Sequence, residues 1–109
     1  MKTALYLVLK STEDAFHTLE LLREDGFNGT LINTESIRHA VDTLPEEHNF
    51  YTLRHFEKDE YLASIFCIFV VENDRVEPLK KIIRESTDNF KRIKGFMYTY
   101  ELKDYEGTI

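Results

Sequence analysis

The sequence predicts an α+β domain: a four-stranded antiparallel sheet with two helices on one face, in the order β-α-β-β-α-β. Three observations predict it. Residues 62–71 (LASIFCIFVV) are apolar at almost every position, rich in β-branched and aromatic residues, and stop at a polar turn. A second apolar run, Ala4 to Leu9, opens the chain. Each run leads into a helical repeat, and an alternating segment closes the order.

The central strand, Leu62 to Val71, sets the fold class. A strand with one wet face alternates apolar and polar residues. Here Ile65, Cys67, Phe69 and Val71 point one way and Phe66, Ile68 and Val70 the other, so both faces are expected to be covered. After the polar turn Glu72 to Arg75, a helix is predicted from Val76 to about Asn89. Asp74 and Glu77 match the spacing of a capping box, and Pro78 falls in the first turn, where a missing N–H costs least. Leu79, Ile82, Ile83 and Phe90 make one helical stripe, with Lys80, Lys81, Arg84 and Glu85 outside it.

The first strand runs from Thr3 to Lys10 and is again apolar on both faces. Ser11 or Thr12 caps the helix that follows, with Glu13 and Asp14 in the first turn where the helix dipole favours them. Ala15, Leu19 and Leu22 form its stripe, and Gly26 is placed to stop it in the left-handed conformation. The second strand is read over Phe27 to Val41, interrupted near its start by Asn28-Gly29, with a pattern that fades past Ile32. Asp42 to Tyr61 has no clear periodicity and forms the long loop between strands two and three. A basic turn, Lys91 to Gly95, leads into a fourth strand, Phe96 to Leu102, and a polar tail. The order is that of the split β-α-β, ferredoxin-like arrangement.

The 109 residues make one domain with enough chain for a real core. The net charge of −6 argues against a nucleic-acid partner. The single cysteine, Cys67, lies mid-strand and reads as a small buried hydrophobe rather than a nucleophile. No signal peptide or membrane span is visible, which predicts a cytoplasmic protein. With helices on one face only, the second apolar face predicts contact with further subunits; the alternative is the long loop folding back over its own sheet.

Glycine-rich phosphate loops are absent, and no nucleophile elbow appears. His48 and His55 with Glu46, Glu47 or Glu57 lack metal-site spacing, so no resident metal and no cofactor are expected. Three cationic groups stand out: Lys91, Arg92 and Lys94 beside Gly95; Arg38 with His39; and Arg54, His55 and Lys58. Gathered at a subunit cleft they would suit a phosphate-bearing ligand, with Phe50, Tyr51 or Phe56 stacking a base. Cations after the second helix also suit its dipole without any ligand.

The chain resembles the P-II-like superfamily, trimeric ferredoxin-like proteins that include the nitrogen-regulatory P-II proteins and the cyclic di-AMP receptors. The resemblance lies in Met1-Lys2-Thr3 opening straight into a strand, the helix stop at Gly26-Phe27 and the long excursion after strand two. Above all it lies in Phe69-Val70-Val71-Glu72-Asn73-Asp74-Arg75-Val76-Glu77-Pro78-Leu79. It implies a non-enzymatic signalling protein that forms a homotrimer and binds a small anionic effector, such as an adenine nucleotide or cyclic di-AMP, between subunits. Residues 42–61 would reorder to control a protein partner. Carried over, the ligand-binding positions are Thr34, Ser36 and Arg38 at the base of the loop, and Lys91, Arg92, Lys94 and Gly95 after the second helix. The sequence departs from the P-II pattern in having one glycine across 86–95, and from the cyclic di-AMP receptors in a Thr34–Arg38 segment that is not Gly/Thr-rich. Two other readings share the architecture: a CutA-type divalent-ion-binding trimer, and a small dimeric α+β barrel enzyme whose pocket between sheet and helices is lined by Tyr6, Tyr98, Tyr100 and a histidine.

Overall fold

The computed structural model describes residues 1–35, 37, 41 and 63–108. Strand β1 spans Lys2–Lys10, helix α1 Glu13–Glu24, β2 Thr30–Glu35, β3 Ala63–Glu72, helix α2 Val76–Thr87 and β4 Gly95–Glu101. A single turn of 3-10 helix, Asn73–Arg75, joins β3 to α2. The sheet order is β2-β3-β1-β4 and every neighbouring pair is antiparallel. This is the ferredoxin-like split β-α-β arrangement that the order of elements predicts.

Register sorts the strand residues into two faces. Leu7 pairs with Cys67 on one side and Met97 on the other, and Cys67 in turn pairs with Leu31. Leu7 and Cys67 of that row, with Leu5, Leu9, Ile65 and Phe69, face the helices and form the buried core together with Ala15, Leu22, Leu79 and Ile83; Met97 packs against it and Leu31, on the edge strand, is exposed. Leu79 and Ile83 are fully buried, with Ile82 and Phe90 packed against the core, as the stripe on α2 predicts. Both sides of the helix pair are pinned. Arg75, ahead of α2, donates to the carbonyl of Asp25 at the end of α1, and Arg92, beyond α2, reaches Asp14 at the start of α1. The two helices therefore run antiparallel.

The helix ends show which local signals hold. Thr12 caps α1 by accepting the amide of Ala15 at 3.1 Å. Gly26 sits at φ +88°, and the amides of Gly26 and Phe27 reach back to the carbonyls of Arg23 and Leu22. This is a Schellman closure, sealed by the burial of both Leu22 and Phe27. At α2 the expected capping box of Asp74 and Glu77 does not form: the helix is preceded by the 3-10 turn, its N-cap is Arg75, and no side chain caps it. Instead Asn73 turns away to accept the Thr3 hydroxyl at 2.6 Å, while its amide bonds the Met1 carbonyl at 3.0 Å.

The second strand is shorter than the 27–41 expectation. The Phe27–Gly29 lead-in stays outside the ladder, and Ile37 and Val41, both exposed, have helical rather than extended backbone. The expectations for Asp42 to Tyr61 lie outside the described residues.

Candidate functional site

Two features of the described residues are candidates for contact with something else. The first is the sheet face opposite the helices. Tyr6 on β1 and Tyr98 on β4 stack with centroids 4.9 Å apart; Phe66 flanks Tyr6 at 5.7 Å, and Phe96 and Tyr100 each lie 6.1 Å from Tyr98. Val8, Ile32, Ile68 and Val70 fall on the same face by register. Phe96 is 55 % exposed, Tyr100 63 % and Ile32 46 %. Contiguous exposed apolar surface of this kind marks an interaction site. The three tyrosines thus sit away from the helices, not in a pocket between sheet and helices, which removes the residue set expected for the α+β barrel enzyme.

The second feature is a cavity of about 780 Å³ at one corner of the sheet. Its rim is the loop from Gly26 to Thr30 that enters β2, and its wall is the end of β3 at Ile68, Val70 and Glu72. Lys2, Arg75 and, from the C-terminal tail, Thr108 complete it. The volume is in the range of small-molecule sites. Gly29 makes the corner possible: a Cβ there would lie 2.5 Å from the Ile68 carbonyl oxygen, so no other residue lets the loop approach β3 so closely. The tail reaches the corner after the Leu102 amide bonds the Lys2 carbonyl at 2.9 Å.

The charges in this corner are of two kinds. Lys2 Nζ lies 3.0 Å from Glu72, whose other oxygen is 3.5 Å from the N-terminal amine. The hydrogen bond from Lys2 holds the Glu72 carboxyl below its ordinary value, and the same bond raises Lys2. Arg75 has no such partner among the described residues. Its guanidinium lies 4.4 Å from the Phe27 ring centroid and donates one hydrogen bond, of 3.3 Å, to the Asp25 carbonyl.

Of the positions expected to bind ligand, those among the described residues fall at the opposite end of the sheet. Thr34 pairs with Ser64, Ser64 with Lys10, and Gly95 with Leu9, so Thr34 and Gly95 stand at one end, three strand spacings or about 14 Å apart. Thr34 donates its hydroxyl to the Ser64 carbonyl at 3.1 Å. Gly95 has a packing role, since a Cβ there would meet the Val8 carbonyl oxygen at 2.0 Å. Arg92 donates to the Ser86 carbonyl and pairs with Asp14 at 3.6 Å, closing the end of α2. Lys91 and Lys94 are exposed on the same turn. Ser36, Arg38, His39 and the 42–61 cations, histidines and aromatics lie outside the described residues. The turn that carries the lysines is unusual: Asp88, Asn89 and Phe90 all have φ between 53° and 63°. The Thr87 hydroxyl supports it, accepting the Phe90 amide and donating to the Ile83 carbonyl.

The cavity was not visible in the sequence. Its residues come from five separated places in the chain, and Asn28-Gly29 read only as a break in strand two. The available signal was Gly29 standing directly before a β-strand, a position that suits close backbone approach. Among the described residues no group of three or more His, Cys, Asp or Glu side chains could hold a metal ion, and no helix is long and apolar enough to cross a membrane. Cys67 is buried, and desolvation pushes its thiol up to about 11, far from the range of a nucleophile.

No family model and no curated protein matches the chain. Among solved structures it is similar to a functionally unknown protein from Pediococcus pentosaceus ATCC 25745, with a TM-score of 0.63 and 10 % identity over 98 % of this chain and 97 % of that one. At that identity the likeness concerns the fold alone.

Proposed function

We propose that the protein is a non-enzymatic cytoplasmic regulatory module that assembles through its open sheet face and binds a small anionic effector, of the adenine-nucleotide class, at the β2–β3 corner. The observation that carries the reading is the corner cavity itself, with an apolar wall on one side and, on the other, a guanidinium that has no carboxylate partner among the described residues. A nucleotide needs both surfaces, one for its base and one for its phosphate. Assembly is supported by the aromatic face, and a trimer is the form that the P-II-like resemblance implies. Thr34, Lys91 and Lys94 stand at the far end of the sheet, where a neighbouring copy could bring them into a second part of the cleft. Ser36 and Arg38 belong to the same proposal. The 42–61 segment is the proposed surface for a protein partner.

Thermal melting with ATP, ADP, AMP and cyclic di-AMP tests the reading. A ligand at ~100 times its Kd adds roughly 2.7 kcal/mol, a rise in Tm that is easily seen. A selective rise with one nucleotide supports the proposal. Identical melting with all four removes nucleotides from it.

A further inference from the structure

We infer that Arg75 is the anion anchor of the corner cavity and selects ligands that carry a phosphate on a flat apolar body. The inference rests on the nucleotide reading above and names the residue that gives it specificity. Of the cationic side chains described around the cavity, Lys2 is already engaged by Glu72 at 3.0 Å. The N-terminal amine leans on the same carboxylate. Elsewhere Arg84 and Lys80 share Glu77, and Arg92 has Asp14. Arg75 is held differently. One face of its guanidinium rests on Phe27 and one N–H goes to a backbone carbonyl, so the group is fixed in place while its charge has no carboxylate against it among the described residues.

A guanidinium has five N–H donors in one plane, and stacking on a ring uses its face rather than those donors. With one N–H spent on Asp25, a fork remains for two oxygens of a phosphate. Phe27 is itself fixed by the helix closure at Gly26, so the anchor needs little reordering when a ligand arrives. Ile68 and Val70 form the apolar wall against which a base can lie, and Thr30 lines the rim. In a chain of net charge −6, a guanidinium with no carboxylate against it among the described residues makes the corner a local exception to the overall field.

The test is a titration of the isotopically labelled full-length protein followed by NMR, reading the Arg75 Nε–Hε signal and the backbone amides of Gly29, Thr30 and Val71. The probes are AMP and adenosine. AMP is expected to move all four signals and to bind on the order of tenfold or more tightly than adenosine, which lacks the phosphate. Arg75→Gln is expected to remove that advantage and to leave adenosine binding as it was. Arg75→Lys keeps the charge without the fork and should fall between the two. Because Arg75→Lys preserves a cation over Phe27, it also serves as the folded control. Equal binding of AMP and adenosine to the wild-type protein, or undiminished AMP binding by Arg75→Gln, overturns the anchor but leaves the cavity as a ligand site. Amide signals that move with neither probe overturn the nucleotide reading and the anchor with it.

Discussion

On the helix-covered face of the sheet, Leu5, Leu7, Leu9 and Ile65 are fully buried. One residue further along the same strands, Tyr6, Phe66 and Ile68 point the other way, toward a face where Phe96 and Tyr100 are more than half exposed. The chemistry of the two faces is similar, and only the cover differs. A monomer gains nothing from aromatic residues on a wet face, where lysine, threonine and glutamate serve as well and resist aggregation. The difference is what supports the proposal that the second face is a contact surface.

The sharpest way to break the comparison is from the covered side. Leu7→Ala empties a site packed by Cys67 and Met97 and should cost about 2–5 kcal/mol, read as a lowered denaturation midpoint. A cost near zero would mean that the two faces are energetically alike. From the open side, Tyr98→Lys places a cation in the centre of the aromatic stack. The far-UV spectrum should stay that of a folded domain while the mass in solution falls to that of one chain. Unchanged mass would take the stack out of any interface.

The smallest expected effect lies at the border between the faces, where Lys2 and Glu72 meet. Glu72 has a lowered pKa, so its contribution is complete above the unfolded carboxylate value and is lost as pH falls through the folded one. Lys2 has a raised pKa, so its contribution is complete below the ordinary lysine value and is lost only as pH rises through the folded one. Melting of wild type and Glu72→Gln should therefore differ slightly at neutral pH and converge as pH falls through the lowered Glu72 value. A gap that persists in acid would assign Glu72 a role other than this ion pair.

How much of this was legible follows from distance along the chain. The two apolar strands, the Thr12 cap and the Gly26 stop are written in neighbouring residues, and each is present in the fold. The second apolar face was legible too, because a period of two places it unambiguously once Tyr6 and Phe66 are seen beside Leu7 and Cys67. The start of α2 was not: Asp74 and Glu77 have capping-box spacing, but a 3-10 turn over Asn73–Arg75 makes Arg75 the N-cap, and the turn's first residue is held by Thr3, seventy positions away. The extent of β2 was overread: apolar Ile37 and Val41 extend the pattern, but the ladder ends with the Glu35–Ala63 pair. The corner cavity was illegible for the same reason as the cap. Gly29 and Arg75 acquire meaning only once β2 lies against β3 and the 3-10 turn sets Arg75 above Phe27.

The most direct test of the account is the mass of the purified full-length protein by light scattering at micromolar concentration. The account predicts three times the mass of the chain. A monomer at that concentration would contradict it, leaving an aromatic face that stays in water and a corner cavity with no neighbouring copy to complete it.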